Sequence, residues 1–183
     1  MSDENVVVVG FTEESKAHHA LSVLEECDAA GRIGLRSAAV VERTSTGELR
    51  VPGSADKAGP IGTVGASLVG MLIGVLGGPV GILLGWGSGA VMSGAYDVNR
   101  VVESDEALGV LGEAIPAGTT AVVADVEEPA VEVIDGEMSK LGGHVTRRPA
   151  TEVMAELYRA EDATRAAERE ARRTVLKKRL HAS

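Results

Sequence analysis

The side chains that could support chemistry are few and scattered in this chain of 183 residues. His18 and His19 are neighbours on a predicted helix, where adjacent side chains point about 100° apart and cannot grip one metal ion from the same face. Zinc sites usually need three or four ligands, and no Asp, Glu or Cys stands at a fixed local spacing to complete a set. The stretch Gly85-x-Gly87-x-x-Ala90 matches a loose dinucleotide fingerprint, but it lacks the preceding strand and the acidic residue that follows. We therefore predict no metal and no cofactor.

Acidic pairs and the single cysteine offer no better start for catalysis. The carboxylates at Glu13-Glu14, at 103–106 and at Glu127-Glu128 each precede or open a predicted helix, where the helix dipole favours negative charge. Acid–base catalysis would need a pocket and a raised pKa, which the sequence does not mark. Cys27 has no His, Lys or Arg within four positions to lower its pKa, so we predict a buried, unreactive thiol. We predict a non-enzymatic protein without catalytic residues and without a small-molecule substrate.

Charge is unevenly distributed along the chain. The formal net charge is −9, yet residues 164–181 hold seven Arg or Lys and two Glu, a net of +5, so the rest of the chain carries −14. An acidic body disfavours nucleic acid, and aromatic residues make up 2% of the chain, too few for the stacking platforms that single-stranded nucleic acid requires. We therefore predict that nucleic acid is not a partner.

Two stretches of the chain have the same order of elements. In the first stretch we predict a strand at Asn5–Phe11, a helix at Thr12–Ala30 with Thr12 as its cap, and a strand at Leu35–Arg43. A further strand is predicted at Glu48–Val51. In the second stretch we predict a strand at Thr119–Val126, a helix from Pro129 to Leu141 and a strand at His144–Arg148, preceded by a helix at Asp105–Ala114 that Ser104 caps. Two βαβ-type halves around a hairpin predict an α+β fold, a ferredoxin-like sandwich.

The segment between the halves contains no charged side chain from Ala58 to Tyr96, and 11 of its residues from Ile61 onwards are glycine. Small residues four positions apart share a helix face and let helices approach closely, as in a glycine zipper. We predict a helical hairpin with arms Ile61–Leu76 and Val80–Tyr96, whose packing and oligomerisation positions are Gly62, Ala66, Gly70, Gly74, Gly78, Gly81, Gly85 and Gly89.

Two environments suit this hairpin. Its arms would be ~24 and ~26 Å long at about 1.5 Å per residue, slightly short of the ~30 Å core of a bilayer. Lys57 and Arg100 flank the hairpin, which favours a cytoplasmic position for both ends if it enters the cytoplasmic membrane. The alternative is a cytoplasmic homo-oligomer in which the same helices form a buried assembly core.

The segment order resembles that of a bacterial membrane-protein family of unknown function. The resemblance rests on the VVVVGF strand, the glycine-rich uncharged segment, the TTAVVADV strand and the helix ending LGGHV, and it covers roughly residues 5–150. It implies ferredoxin-like halves, at 1–53 and 98–150, around a hydrophobic hairpin at 54–97. It implies no catalytic residue.

The last segment, 151–183, is a predicted basic helix whose thin apolar seam is formed by Val153, Leu157, Ala160, Thr164, Ala167 and Ala171. The basic residues that could contact a partner are Arg165, Arg169, Arg172, Arg173, Lys177, Lys178 and Arg179. The pattern is compatible with a solvated helix, with docking on anionic lipid head groups, or with docking on the acidic body of a second copy. The predicted function is accordingly that of a membrane-anchored, self-associating protein, with a soluble homo-oligomeric scaffold as the alternative; the expected partners are a bilayer and the chain itself.

Overall fold

The computed structural model describes residues 3–52, 67–77 and 106–181. These residues form an α+β fold with one five-stranded antiparallel sheet and five helices. In chain order the elements are β1 (Asp3–Phe11), α1 (Glu14–Ala29), β2 (Gly34–Arg43), β3 (Leu49–Arg50), α2 (Leu68–Gly77), α3 (Ala107–Glu113), β4 (Thr120–Glu128), α4 (Val131–Lys140), β5 (His144–Pro149) and α5 (Ala150–His181).

The strands lie in the order β3-β2-β4-β1-β5. Strand β4 separates β1 from β2, and β1 separates β4 from β5, so each strand–helix–strand unit admits one strand of the other unit between its own two. The central pair is held in register from Asp3 opposite Glu128 to Phe11 opposite Thr120. Because both faces of this pair are covered, the β1 run Val6–Val9 is fully buried, which explains why it is continuously apolar rather than alternating.

Helices cover both faces of the sheet. One core joins α1 and α4 to the β1 side chains Val7 and Val9, and the other joins α2, α3 and the start of α5 to Val6 and Val8. Successive strand residues point to opposite faces, so a single valine run supplies both cores. The fold therefore has three layers, with the sheet in the middle.

Two predicted helix starts are wrong. Helix α1 begins at Glu14 with Glu13 as its N-cap, not Thr12, and no side chain caps it. Helix α4 begins after Ala130, so Pro129 precedes the helix. The predicted cap Ser104 lies outside the described residues. The starts of α1 and α4 are set by packing on the sheet and not by a capping hydrogen bond, since most helix stability in proteins comes from packing of an amphipathic face.

Helices α1 and α4 each bury one face against the sheet. In α1 the buried residues include Ala17, Leu24 and Cys27. In α4, however, Val131 is 38% exposed, because it opens the helix at the edge of the layer. The helix predicted to end at Leu141 ends at Lys140, with Leu141 as its C-cap; Gly142 follows with a φ of 77°, a left-handed conformation that glycine takes without the steric cost of a Cβ.

The described part of the glycine-rich segment lies in the body of the fold. Helix α2 buries Leu68, Leu72 and Leu76 against the sheet and α5. A Cβ added at Gly74 would meet no atom within 4 Å, whereas one at Gly77 would come within 2.8 Å of the Leu49 Cβ. The close approach that glycine permits here is thus between α2 and β3, within one chain.

This arrangement corrects the expectation that the whole uncharged segment lies in lipid or between copies. For residues 68–77 the sheet provides the apolar surroundings. Among the described residues, no helix is both long and apolar enough to cross a bilayer. The other positions of the predicted glycine rows, Gly62, Ala66, Gly78, Gly81, Gly85 and Gly89, lie outside the described residues.

Candidate functional site

Helix α5 consists of a buried root and an exposed arm. The root packs Val153, Leu157 and Ala160 into the core beside α2 and α3. These residues recur at spacings of four and three, so they occupy one face of the helix. The first half of the predicted seam is therefore confirmed. Farther along, Ala171 is exposed, and nothing is described of the side chains of Thr164 and Ala167.

A carboxylate ties the root to a neighbouring helix. The two oxygens of Glu156 accept hydrogen bonds from the backbone N–H groups of Ala107 and Leu108, at 2.9 and 2.7 Å. These N–H groups open α3, where intrahelical partners are missing and the dipole favours negative charge. Glu156 is 7% exposed, so the contact is sheltered from water. Sequence reasoning missed it because the cap comes from about 48 residues farther along the chain.

The arm begins after Ala160 and leaves the core behind. Residues 161–181 continue as helix, a length of ~32 Å at about 1.5 Å per residue. Every described side chain from 165 to 178 is exposed. The exposed basic residues predicted for partner contact are Arg165, Arg169, Arg172, Arg173, Lys177 and Lys178. Arg179 lies on the same helix, but nothing is described of its side chain.

The arm and the adjoining root also expose large apolar side chains. Tyr158 is 54% exposed, Val175 53% and Leu176 60%. An exposed ion pair on the arm joins Arg165 to Glu161 at 3.0 Å. Pairs of this exposed i,i+4 kind stabilise a helix by about 0.3–0.5 kcal/mol. The arm thus combines helical order, positive charge and exposed apolar groups.

A second cluster of charges lies at the edge of the sheet. Arg147 on β5 contacts Glu128 at 3.1 Å, and it also contacts Asp135 on α4. Asn5 donates a further bond to Glu128 at 2.9 Å. Burial alone would lower the pKa of Arg147, but hydrogen bonds and charge from the two carboxylates raise it. These contacts join β1, β4, β5 and α4, so we assign the cluster to the cohesion of the four elements.

Arg43 is a buried cation that donates hydrogen bonds to two backbone carbonyl groups. Its Nε donates to the oxygen of Ile115 at 2.6 Å, and its Nη1 donates to that of Gly47 at 2.8 Å. Burial lowers its pKa. The C-terminal end of α3, which has a partial negative charge, lies directly before Ile115 and compensates part of the charge. Arg43 joins the β2–β3 turn to the loop before β4, which is a structural role.

Among the described residues, two buried polar atoms on one face of the sheet lack a hydrogen-bond partner. They are the hydroxyl of Ser37 and one carboxylate oxygen of Asp125, which stand opposite each other in the β2–β4 register. Burial raises the pKa of Asp125, with Glu4 adding to the effect and Arg36 opposing it. The pair marks a local cost to stability.

The remaining candidates do not form a centre of chemistry. Cys27 is buried as predicted, and burial raises its pKa. Arg32 Nη1, five positions away, lies 3.6 Å from the sulfur. His18 forms its own i,i+4 contact with Glu14 at 3.5 Å. Within 3–52, 67–77 and 106–181, no group of three or more His, Cys, Asp or Glu side chains is placed to hold a metal ion.

No protein-family model, curated protein or solved structure matches the chain.

Proposed function

We propose that this chain is a non-enzymatic, self-associating protein whose assembly element is the arm of α5. The observation that supports this proposal is the continuation of α5 far past its last fully buried residue, Ala160. A helix that only completed the core would end near that residue. The described side chains of the arm from 165 to 178 are exposed instead of packed on the sheet, and we infer that they contact another molecule.

The chemistry of the arm favours an acidic partner. Residues 164–181 have a net charge of +5, and the rest of the chain carries −14. Opposite charges on two parts of one molecule speed encounter between copies and fix their orientation. An anionic lipid surface would attract the arm but repel the acidic body, so a second copy suits the whole charge distribution better.

We also propose that the body has ferredoxin-like topology. Four of the five strands support this, because they follow the order β2-β4-β1-β5 with helices α1 and α4 packed together on one face. That is the arrangement expected of two interlocked strand–helix–strand units. Helices α2, α3 and α5 cover the opposite face. Such sheets host many unrelated activities, so topology alone assigns no function.

The membrane-anchored form of the proposal rests on a different observation. The run 58–96 lacks charged side chains, and its part beyond α2 is the element that would enter lipid. Burial of Leu68, Leu72 and Leu76 in the body places the described part of the first predicted arm on the sheet instead of in lipid. We therefore rank assembly through protein–protein contact first and anchoring in the cytoplasmic membrane second.

The test is sedimentation velocity of the full chain in detergent-free buffer, at increasing protein concentration. Salt should be set to about 0.1 M and then about 1 M NaCl, which shortens the Debye length from about 10 Å to about 3 Å. We expect an assembly at low salt that weakens at high salt. A monomer of 18.8 kDa at every concentration would overturn the proposal.

Fractionation of expressing cells separates the two forms. Retention of the chain in membranes after a sodium carbonate wash would support the anchored form. Recovery of an assembly without detergent would support association through the body and α5.

A further inference from the structure

We propose that the partner of α5 is α5 of a second copy, docked antiparallel along one stripe of exposed side chains. This inference rests on the proposed self-association and specifies its surface. The stripe consists of Tyr158, Glu161, Arg165, Glu168, Arg172 and Val175, all exposed.

These six residues form one continuous face. They follow one another at spacings of three, four, three, four and three, the alternation that keeps side chains on the seam between two paired helices. The buried root residues Leu157 and Ala160 each stand one position before a stripe residue, Tyr158 and Glu161, so the stripe lies about 100° around the helix from the buried face. A helix docked on the stripe would therefore lie beside the root, on the flank of α5.

The order of residue types along the stripe is complementary to its own reverse. When two copies run antiparallel, Tyr158 faces Val175 of the second copy, Glu161 faces Arg172, and Arg165 faces Glu168. A twofold axis repeats each pair, which gives four ion pairs and two apolar contacts. A parallel arrangement would instead oppose each residue to its own copy, with like charges facing each other.

The wider charge of α5 favours the same direction. Residues 150–170 contain six acidic and three basic side chains, a net of −3, whereas 171–181 contain five basic and none acidic. Antiparallel packing places the basic end of each helix against the acidic half of its partner. Formation of the dimer competes with the exposed Arg165–Glu161 pair within one helix, but such surface pairs contribute only about 0.2–1 kcal/mol.

The test uses charge reversal in the full chain. Arg165→Glu with Arg172→Glu makes the stripe uniformly acidic and should abolish the dimer seen by sedimentation equilibrium at low salt. The further changes Glu161→Arg and Glu168→Arg exchange all four charges; because the pattern is self-complementary, they should restore the dimer, with a mass near twice 18.8 kDa.

The matched control is Arg169→Glu with Arg173→Glu. Both arginines are exposed on α5 but lie off the stripe, and the change in net charge is the same. We expect the control to dimerise measurably better than the stripe variant. Equal dimerisation of the two double variants would overturn the inference, and so would failure of the fourfold exchange to restore the dimer.

Direction is tested by cross-linking in a Cys27→Ala background. Tyr158→Cys and Val175→Cys chains, mixed and oxidised, should form mainly the mixed disulfide, whereas either alone should form little. Dominant same-residue disulfides would indicate parallel helices and overturn the antiparallel arrangement. If the wild-type chain stays monomeric, the proposed function fails as well; if it assembles and the stripe variants assemble equally, only this inference fails.

Discussion

Replacement of Glu156 by alanine should detach the root of α5 from α3. The wild-type carboxylate accepts two backbone hydrogen bonds, at 2.9 and 2.7 Å, and is nearly excluded from solvent. Hydrogen bonds to a charged group contribute about 1.5–3 kcal/mol. Alanine would also leave the N–H groups of Ala107 and Leu108 unpaired at a helix start. We therefore expect Glu156→Ala to lower the free energy of unfolding by about 3 kcal/mol.

The assay is urea unfolding followed by circular dichroism, with the variant and the wild type compared at the same pH. Glu156→Gln provides an intermediate step, because one amide oxygen can still accept a hydrogen bond while the negative charge is lost. The matched control is Glu170→Ala, since Glu170 is an exposed glutamate on the arm of the same helix. Surface substitutions of that kind usually stay within about 0.5 kcal/mol of the wild type.

The ranking of these variants tests the reasoning. We expect the loss to grow from Glu170→Ala through Glu156→Gln to Glu156→Ala. If Glu156→Ala unfolds within about 0.5 kcal/mol of the wild type, the two hydrogen bonds do not hold α3 and α5 together. The explanation of why the root is ordered would then be wrong.

Three further predictions address other parts of the fold. Arg147→Ala should cost about 3 kcal/mol or more in urea unfolding, because it leaves the buried carboxylate of Glu128 without its cation; a loss below about 1 kcal/mol would contradict this role. Asp125→Asn should stabilise the protein at pH 7, because it removes a buried charge with an unpartnered oxygen. Burial raises the pKa of Asp125 in the folded protein, so the contribution of this carboxyl to stability is complete below its unfolded pKa of about 4 and is lost as the pH rises. The stability gained by the substitution should therefore shrink as the pH falls towards about 4. Gly77→Ala should lower the melting temperature, because the added Cβ would lie 2.8 Å from the Leu49 Cβ on β3. Gly74→Ala should raise the melting temperature, because no described atom lies within 4 Å of the added Cβ and alanine has a helix propensity better than that of glycine by up to about 1 kcal/mol. The opposite order of melting temperatures would refute the packing described for α2.

Much of the secondary structure could be predicted because its causes are local. The Val6–Val9 run identified β1, and the predicted strand at Thr119–Val126 corresponds to β4, which runs from Thr120 to Glu128. Helix α4 was predicted to end at Leu141 and ends at Lys140. The long basic helix was predicted from Thr151 to Leu180 and is found from Ala150 to His181. Periodicity and turn chemistry act within a few residues, so sequence alone reveals them.

The placement of α2 could not be predicted from composition. An uncharged, glycine-rich run satisfies lipid, an assembly core or a sheet face equally well, since each offers apolar surroundings. In the structure, residues 68–77 pack against the sheet, through contacts with strands that are remote in sequence. It also locates a close approach at Gly77, where an added Cβ would lie 2.8 Å from the Leu49 Cβ, whereas the glycine rows predicted close approaches between helices.

Helix α5, the candidate site, could likewise be predicted only in part. The sequence by itself determined that the last segment is a helix, that it is basic, and that its stripe from Tyr158 to Val175 is self-complementary, because helix periodicity converts spacing directly into a face. Only the tertiary structure decided where that helix leaves the core. The end of burial at Ala160 and the capping of α3 by Glu156 depend on pairing between segments far apart in the chain, and the energy of such contacts is not encoded in any one stretch of sequence.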